Sequence, residues 1–84
     1  MQVSVVSADH KVWSGEATQV IAKTVEGEIG ILAGHEPLLA VLGDGEVRIT
    51  AADGKPVVVN AEGGFFSVSR NSVEVVAGQA SLVA

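Results

Sequence analysis

The two histidines are the first candidates for chemistry, because an imidazole can bind a metal or carry a proton near neutral pH. His10 follows Asp9 directly, which places two potential metal ligands side by side. His35 stands far from them in the sequence, and the chain has no cysteine. A protein metal site usually needs three or four ligands. We therefore expect Asp9 and His10 to form a solvated turn, and we expect no metal site.

The serine- and glycine-containing segments match no catalytic motif. Ser14 precedes Gly15, but no glycine stands two positions before the serine, as a nucleophile elbow requires. Gly54-Lys55 is followed by Pro56, where a phosphate-binding loop requires Ser or Thr. We therefore expect no catalytic residue and no cofactor.

Lys55 supports an alternative function. It follows Asp53-Gly54, a strong hairpin signal, and carrier domains that accept biotin or lipoate present a lysine on a similar hairpin tip. The residues around Lys55 match only the turn, so a solvated turn residue is the simpler interpretation. A lysine-modified carrier domain stays open as one alternative, and a generic protein-binding β-sandwich stays open as another.

The charge distribution and the length of the apolar runs exclude two kinds of interaction. Ten acidic residues against five basic ones give a net charge of −5, and the basic residues are scattered along the chain. Nucleic-acid binding requires a basic surface that displaces counterions, so we expect no nucleic-acid partner. No apolar run reaches the roughly 18 residues that cross a bilayer, so we expect no direct membrane insertion.

The residues between these candidates predict one all-β domain over 1–84. β-Branched residues alternate with polar ones, and Gly, Asp and Asn interrupt them at short intervals, which is typical of short antiparallel strands. Helical periodicity is absent over any useful length. We predict a sandwich or barrel with a frayed tail at 78–84 and eight strands at 2–8, 16–25, 28–32, 38–42, 46–51, 57–62, 66–69 and 73–77.

The alternation also predicts which side chains face the core. Val47 and Ile49 should point inward, and Thr18, Val20 and Ala22 should share one face. Glycine-containing turns are predicted at 13–15, 43–45 and 63–64.

Two side chains in predicted loops allow two interpretations each. Trp13 either closes one end of the sandwich as a buried ring or serves as a contact anchor, since aromatic residues are favoured at interface cores. His35 either anchors its loop by hydrogen bonds to the backbone or lies in an interface.

The segment 26–39 is the most distinctive part of the chain, with three glycines, a histidine and a proline. It resembles the Gly-Glu-Ile-Gly-Ile-Leu-Pro-Gly-His-x-Pro-Leu-Leu signature of the epsilon subunit of rotary F-type ATP synthases. Ser7-Ala8, Trp13-Ser14-Gly15 and Gly63-Gly64-Phe65 also match this family where its pattern expects them. The resemblance covers nearly the whole chain, from residue 2 to about residue 77.

The resemblance implies a flattened sandwich of about ten short strands without catalytic residues. Such a domain sits at the foot of the central stalk, where it binds the gamma subunit and the polar loops of the c-ring, and reaches the alpha/beta catalytic head only indirectly. Its task would be to help couple proton-driven rotation to ATP synthesis. Its location would be peripheral, on the cytoplasmic face of the bacterial plasma membrane.

The resemblance also assigns expected roles to residues. Glu28 matches an acidic position near the c-ring loops, and Gly34, His35, Glu36 and Pro37 match the loop that shapes the contact with gamma. Ala33 departs from the family pattern, which has proline there. Longer members continue into a C-terminal helical hairpin that restrains ATP hydrolysis. Because the sequence ends at Ala84, we expect neither self-inhibition nor nucleotide binding from this chain.

Overall fold

The computed structural model of the protein describes residues 1–83. This part of the chain is all-β, as the sequence predicts, with no helix and 64 residues in strands. The structure has six strands in place of the eight predicted: β1 Gln2–Val6, β2 Lys11–Thr24, β3 Gly27–Leu32, β4 Leu38–Ala51, β5 Pro56–Ser69 and β6 Ser72–Leu82.

The six strands form a sheet that closes on itself into a barrel-like sandwich. Their hydrogen-bonded order is β1-β6-β5-β4-β2-β3, and β1 also pairs with β2, which completes the closure. Strand β3 lies outside the closed ring and pairs only with β2. All pairings are antiparallel except β1 with β6, which is parallel. The parallel pair departs from the predicted antiparallel arrangement, and it is possible because these strands lie far apart in the sequence and no hairpin joins them.

Two of the predicted turns are bends inside long strands. Pairing of β4 with β5 stops after Val41↔Phe65 and resumes at Gly45↔Ala61, so three residues of each strand lie unpaired opposite one another. The glycines at 43–45 and 63–64 fall in or beside these interruptions. Strands β4 and β5 thus turn a corner without ending, and each supplies residues on both sides of the bend.

The ends of two strands also differ from the prediction. Strand β2 begins at Lys11, so the predicted turn at 13–15 is extended strand paired with β1. Strand β6 pairs with β5 as far as Leu82, inside the stretch for which the sequence predicts a frayed tail. The amide of Val83 also donates to the carbonyl of Val58, at 2.8 Å. Ala84, the last residue of that predicted tail, lies outside the described residues.

The core consists of the inward side chains of all six strands, and Phe66 is the largest fully buried one. Val47 and Ile49 are buried as their alternation predicts. Thr18 is exposed, contrary to prediction, because a bulge between Ala17 and Gln19 shifts the register of β2 and turns Ala17 inward instead.

Gly64 is the position where the bend in β5 depends most strictly on glycine. Its φ is +107°, and a Cβ atom there would lie 1.9 Å from the carbonyl oxygen of Val76 and 2.8 Å from the Cα of Ala77. Both contacts are with backbone atoms of β6, so no side-chain rotation can relieve them. The close approach of β5 to β6 therefore requires that position 64 carry no side chain.

We predict that Gly64→Ala lowers the free energy of unfolding by about 3 kcal/mol or more, since left-handed strain and overpacking each cost about 1–3 kcal/mol. Chemical denaturation of the purified chain measures this. Gly30→Ala is the control, because a Cβ at Gly30 meets no atom within 4 Å, and its effect should stay within about 0.5 kcal/mol. Equal effects of the two substitutions would show that the bend does not depend on Gly64.

Candidate docking surfaces

The loop between β3 and β4 opens with a well-defined turn. The amide of His35 donates to the carbonyl of Leu32 at 3.1 Å, and Gly34 has a φ of +85°. Ala33 has no positive φ, since Asn71 is the only non-glycine residue with one among the described residues. This combination defines a type II turn with glycine in the third position, where a positive φ is required.

The predicted contact residues of this loop all face solvent. Gly34, His35, Glu36 and Pro37 are exposed. The imidazole Nδ1 of His35 lies 2.7 Å from the carbonyl oxygen of Glu36, so a protonated Nδ1 donates to it and fixes the ring against its own loop. The geometry fits the interpretation of His35 as a loop anchor, and the exposed ring leaves a role in an interface as a prediction.

Glu28 lies in β3 and not in this loop. It sits near the start of β3, about 13 Å of extended strand before Leu32. Its Oε2 accepts a hydrogen bond from Nη2 of Arg48 at 3.0 Å, across the intervening strand β2. Both side chains are more than half exposed. The structure thus separates the five predicted site residues into an acidic position at one end of β3 and a loop at the other.

An apolar stripe on the outer surface was not among the predicted sites. Val41 pairs with Phe65 across β4 and β5, and Phe65 pairs with Val76 across β5 and β6. Leu39 lies two residues before Val41 and projects from the same face of β4. The exposed fractions of Leu39 (71%), Val41 (50%), Phe65 (56%) and Val76 (36%) are high for large apolar residues. Contiguous exposed apolar side chains of this kind mark an interaction surface more often than isolated ones do.

The sequence carried a signal for this stripe. Residues 38–42 are apolar at every position. The neighbours Phe65-Phe66 and Val75-Val76 place apolar side chains on both faces of their strands. A strand in a two-layer sandwich buries only one of its faces within the chain. The apolar side chains on the second face of these strands must therefore point outward.

A groove adjoins the apolar stripe. It has a volume of about 400 Å³ and lies between the β2–β3 turn and the first residues of β4. Leu39 and Val41 belong both to the stripe and to the groove, and Val25 (67% exposed) adds a further apolar side chain to the groove wall. Its lining residues are Thr24, Val25, Glu26, Gly27, Glu28, Ile29, Leu38, Leu39, Ala40 and Val41.

The residues Ser7, Asp9 and His10 form a hydrogen-bonded cluster, but its geometry does not fit a hydrolase. Nδ1 of His10 lies 2.7 Å from Oδ1 of Asp9 and 2.9 Å from Oγ of Ser7. A catalytic triad needs the serine and the carboxylate on different ring nitrogens, whereas both contact the same one here. The hydrogen bonds from His10 and then from Ser7 lower the pKa of Asp9 below its ordinary value. The cluster therefore orders the β1–β2 turn.

The two remaining candidate side chains are Lys55 and Trp13. Lys55 is exposed in the β4–β5 hairpin, where its amide donates to Oδ1 of Asp53 at 3.0 Å. Trp13 is half-buried and packs against the core from β2. Its ring also covers Gly15, where a Cβ would lie 3.1 Å from Cζ2 of the indole. Trp13 thus packs against the core and over the backbone of its own strand.

Residues 1–83 contain neither a cluster of metal ligands nor a membrane-spanning helix. No three His, Cys, Asp or Glu side chains in this range are grouped so that they could hold a metal ion. The same residues contain no helix that is long and apolar enough to span a membrane.

An all-β domain with an exposed apolar stripe, a neighbouring groove and a solvent-facing loop has surface features typical of protein-interaction domains. Comparison with known proteins specifies it further. Residues 1–83 match the family described as ATP synthase, Delta/Epsilon chain, beta-sandwich domain. The chain is 52% identical to the ATP synthase epsilon chain of Micrococcus luteus and 48% identical to that of Streptomyces avermitilis. Both alignments cover 98% of the present chain. The chain therefore belongs to the ATP synthase epsilon family, whose members are accessory and not catalytic subunits.

The extent of these matches differs between relatives. The chain spans 90% of the Micrococcus luteus relative but 66% of the Streptomyces avermitilis one. Among solved structures, a chain of the Euglena gracilis mitochondrial ATP synthase (OSCP/F1/c-ring) superposes with a TM-score of 0.88 and 27% identity over 95% of this chain and 51% of that one. A chain from the central stalk and c-ring of Tetrahymena thermophila mitochondrial ATP synthase shares the fold, with a TM-score of 0.76, 20% identity and coverage of 95% and 64%.

We predict that Ala33→Pro stabilises the chain by about 0.4–1 kcal/mol, because proline suits the second position of a type II turn and restricts the unfolded state. Thermal unfolding measures this as a rise in Tm of a few degrees. Gly34→Ala is the matched change at the next position and should lower the Tm, since its φ of +85° strains any other residue while no atom lies within 4 Å of the added Cβ. A lowered Tm for Ala33→Pro would show that the turn is not of type II.

Proposed function

We propose that this chain is a non-catalytic subunit of the central stalk of a proton-translocating ATP synthase. It docks the gamma subunit to the c-ring and helps transmit proton-driven rotation to the alpha/beta catalytic head, which it reaches only through gamma. The complex would hold it on the cytoplasmic face of the bacterial plasma membrane as a peripheral protein. The proposal joins the family membership with two features of this chain, the exposed apolar stripe and the acidic position at Glu28.

The observation that carries the proposal is the exposure of the apolar stripe. A typical stable interface buries about 800 Å² on each partner, which is about one sixth of the 4754 Å² that this chain exposes. The stripe offers an aromatic anchor, Phe65, flanked by aliphatic side chains, which is the composition of energetically important interface centres. We assign the gamma subunit to the stripe and to the adjoining loop with His35.

The acidic position at the start of β3 would face the c-ring. Glu28 is exposed, and its pairing with Arg48 is a surface ion pair that contributes no more than about 1 kcal/mol to folding. Its carboxylate can therefore exchange Arg48 for a basic group of the ring loops at little cost to the fold. Glu28 lies near the start of β3, and the loop with His35 begins at the end of the same strand.

Torque transfer requires that the module resist shear, and its connectivity provides this resistance. Strands β4 and β5 each continue through the bend, so covalent backbone links the two parts of the sandwich. The β1–β2 pairing closes the ring of hydrogen bonds. Force applied at one surface would therefore load backbone hydrogen bonds and covalent geometry as well as side-chain packing. The alternative of a carrier domain modified at Lys55 has only the hairpin position in its favour.

Two substitutions should separate the two proposed contacts. We predict that Phe65→Ser weakens binding to the gamma subunit by about thirtyfold, the loss of about 2 kcal/mol that is typical of an aromatic anchor. Glu28→Lys should reduce association with the c-ring and should weaken gamma binding much less than Phe65→Ser does. Size-exclusion co-elution and titration with gamma, and co-sedimentation with purified c-ring, measure these effects.

Each variant serves as the control for the other, because both residues are exposed and both chains should keep the wild-type Tm within a few degrees. A wild-type chain that forms no complex with gamma would refute the proposal. An equal loss of gamma binding by both variants, or no loss by Phe65→Ser, would show that the contacts are assigned wrongly.

A further inference from the structure

The first residues of β4 leave one backbone edge open. The amide of Val25 donates to the carbonyl of Val41 at 3.0 Å, so the backbone polar groups of Val41 point away from β5. Residues on an antiparallel strand alternate in this direction, and Leu39, two positions earlier, therefore also points its N–H and C=O away from β5. Among the described residues, β2 pairs with this half of β4 only at Leu42. The edge at Leu39 is thus free to accept another strand.

This open edge forms one wall of the groove defined above. The groove volume of about 400 Å³ accommodates a few residues of extended chain, and its walls supply the side chains of Val25, Ile29 and Leu39. An added strand would lie about 4.8 Å from β4 and would place alternate side chains against this apolar wall. The groove therefore provides both the backbone pairing and the side-chain contacts that strand addition requires.

The charge of the groove restricts what can occupy it. Glu26 and Glu28 are its only charged lining residues, and both are acidic. Glu26 belongs to none of the ion pairs formed within residues 1–83. A segment that carries basic side chains would find complementary charge there, whereas an acidic one would be repelled.

We propose that the groove binds an extended segment of the stalk partner, with alternating apolar and basic side chains, which pairs with the edge of β4 at Leu39 as an additional strand. This inference rests on the proposed function for the existence of the partner, and it adds the mode of recognition. The backbone of Leu39 acts as donor and acceptor, its side chain packs against the inserted strand, and Glu26 faces a basic side chain.

Two substitutions at one position separate backbone pairing from side-chain contact. Leu39→Ala removes most of the side chain and keeps the N–H, whereas Leu39→Pro retains a small apolar ring and removes the N–H. Proline is tolerated on an open edge because no ladder hydrogen bond is lost there. With the gamma subunit as the probe, Leu39→Pro should bind about tenfold more weakly than Leu39→Ala. A factor of this size corresponds to the loss of about one hydrogen bond, which leaves its acceptor on the inserted strand unpaired. Equal affinities of the two variants would overturn the inference in favour of side-chain docking alone.

Hydrogen exchange provides a second readout that needs no substitution. The amide of Leu39 should exchange rapidly in the isolated chain and become protected when gamma is bound. An unchanged exchange rate in a fully formed complex would overturn strand addition and leave the proposed function standing. Absence of any complex would overturn both.

Charge reversal tests the basic segment. Glu26→Lys should weaken gamma binding and reduce its salt dependence, whereas Glu46→Lys, an exposed carboxylate elsewhere on β4, should change neither. Equal effects of the two reversals would show that only the net charge of the chain matters and would remove the argument for a basic occupant.

Discussion

The rest of the structure depends on how few side chains the core can hold. A chain of 84 residues forms one small core, and the inward phases of six strands already fill it. Strands β4, β5 and β6 are nevertheless apolar in their outward phase as well, around Phe65. The outward apolar side chains have no room in the core and are exposed to solvent. A partner that covers them would bury the apolar surface that the isolated chain leaves in water, and this need links the sequence to assembly.

The same constraint explains why the strands bend instead of ending. Long strands that pass through glycine-rich bends use one stretch of backbone on both sides of a small core. Gly64 allows β5 to approach β6 within the distance at which any side chain would overlap backbone. The gap between β3 and the first half of β4 follows from this geometry, because the residues of β4 that precede Leu42 do not pair with β2. Closure, bend and groove are thus consequences of folding six strands around few side chains.

Strand alternation predicted the all-β class and the burial of residues such as Val47 and Ile49, because a period of two marks the inward face directly. It did not predict the strand count, since paired glycines can form either a turn or a bend and only the tertiary packing decides between them. Thr18 was misplaced for a related reason, because a bulge shifts the register without leaving a residue signature. The resemblance to a family supplied the expected roles of Glu28 and of the loop with His35. The outward-facing apolar side chain of Phe65 was readable in the sequence but was not interpreted as part of a surface.

The central claim is that Phe65 lies exposed in the isolated chain and covered in the assembled ATP synthase, and hydroxyl-radical footprinting measures this most directly. Phe66 is fully buried, and Leu82 is 53% exposed outside the apolar stripe, so each provides an internal reference. The account predicts that oxidation of Phe65 exceeds that of Phe66 in the isolated chain and falls to the level of Phe66 in the complex, while Leu82 is oxidised in both. Oxidation of Phe65 that persists undiminished in the assembled complex would contradict it.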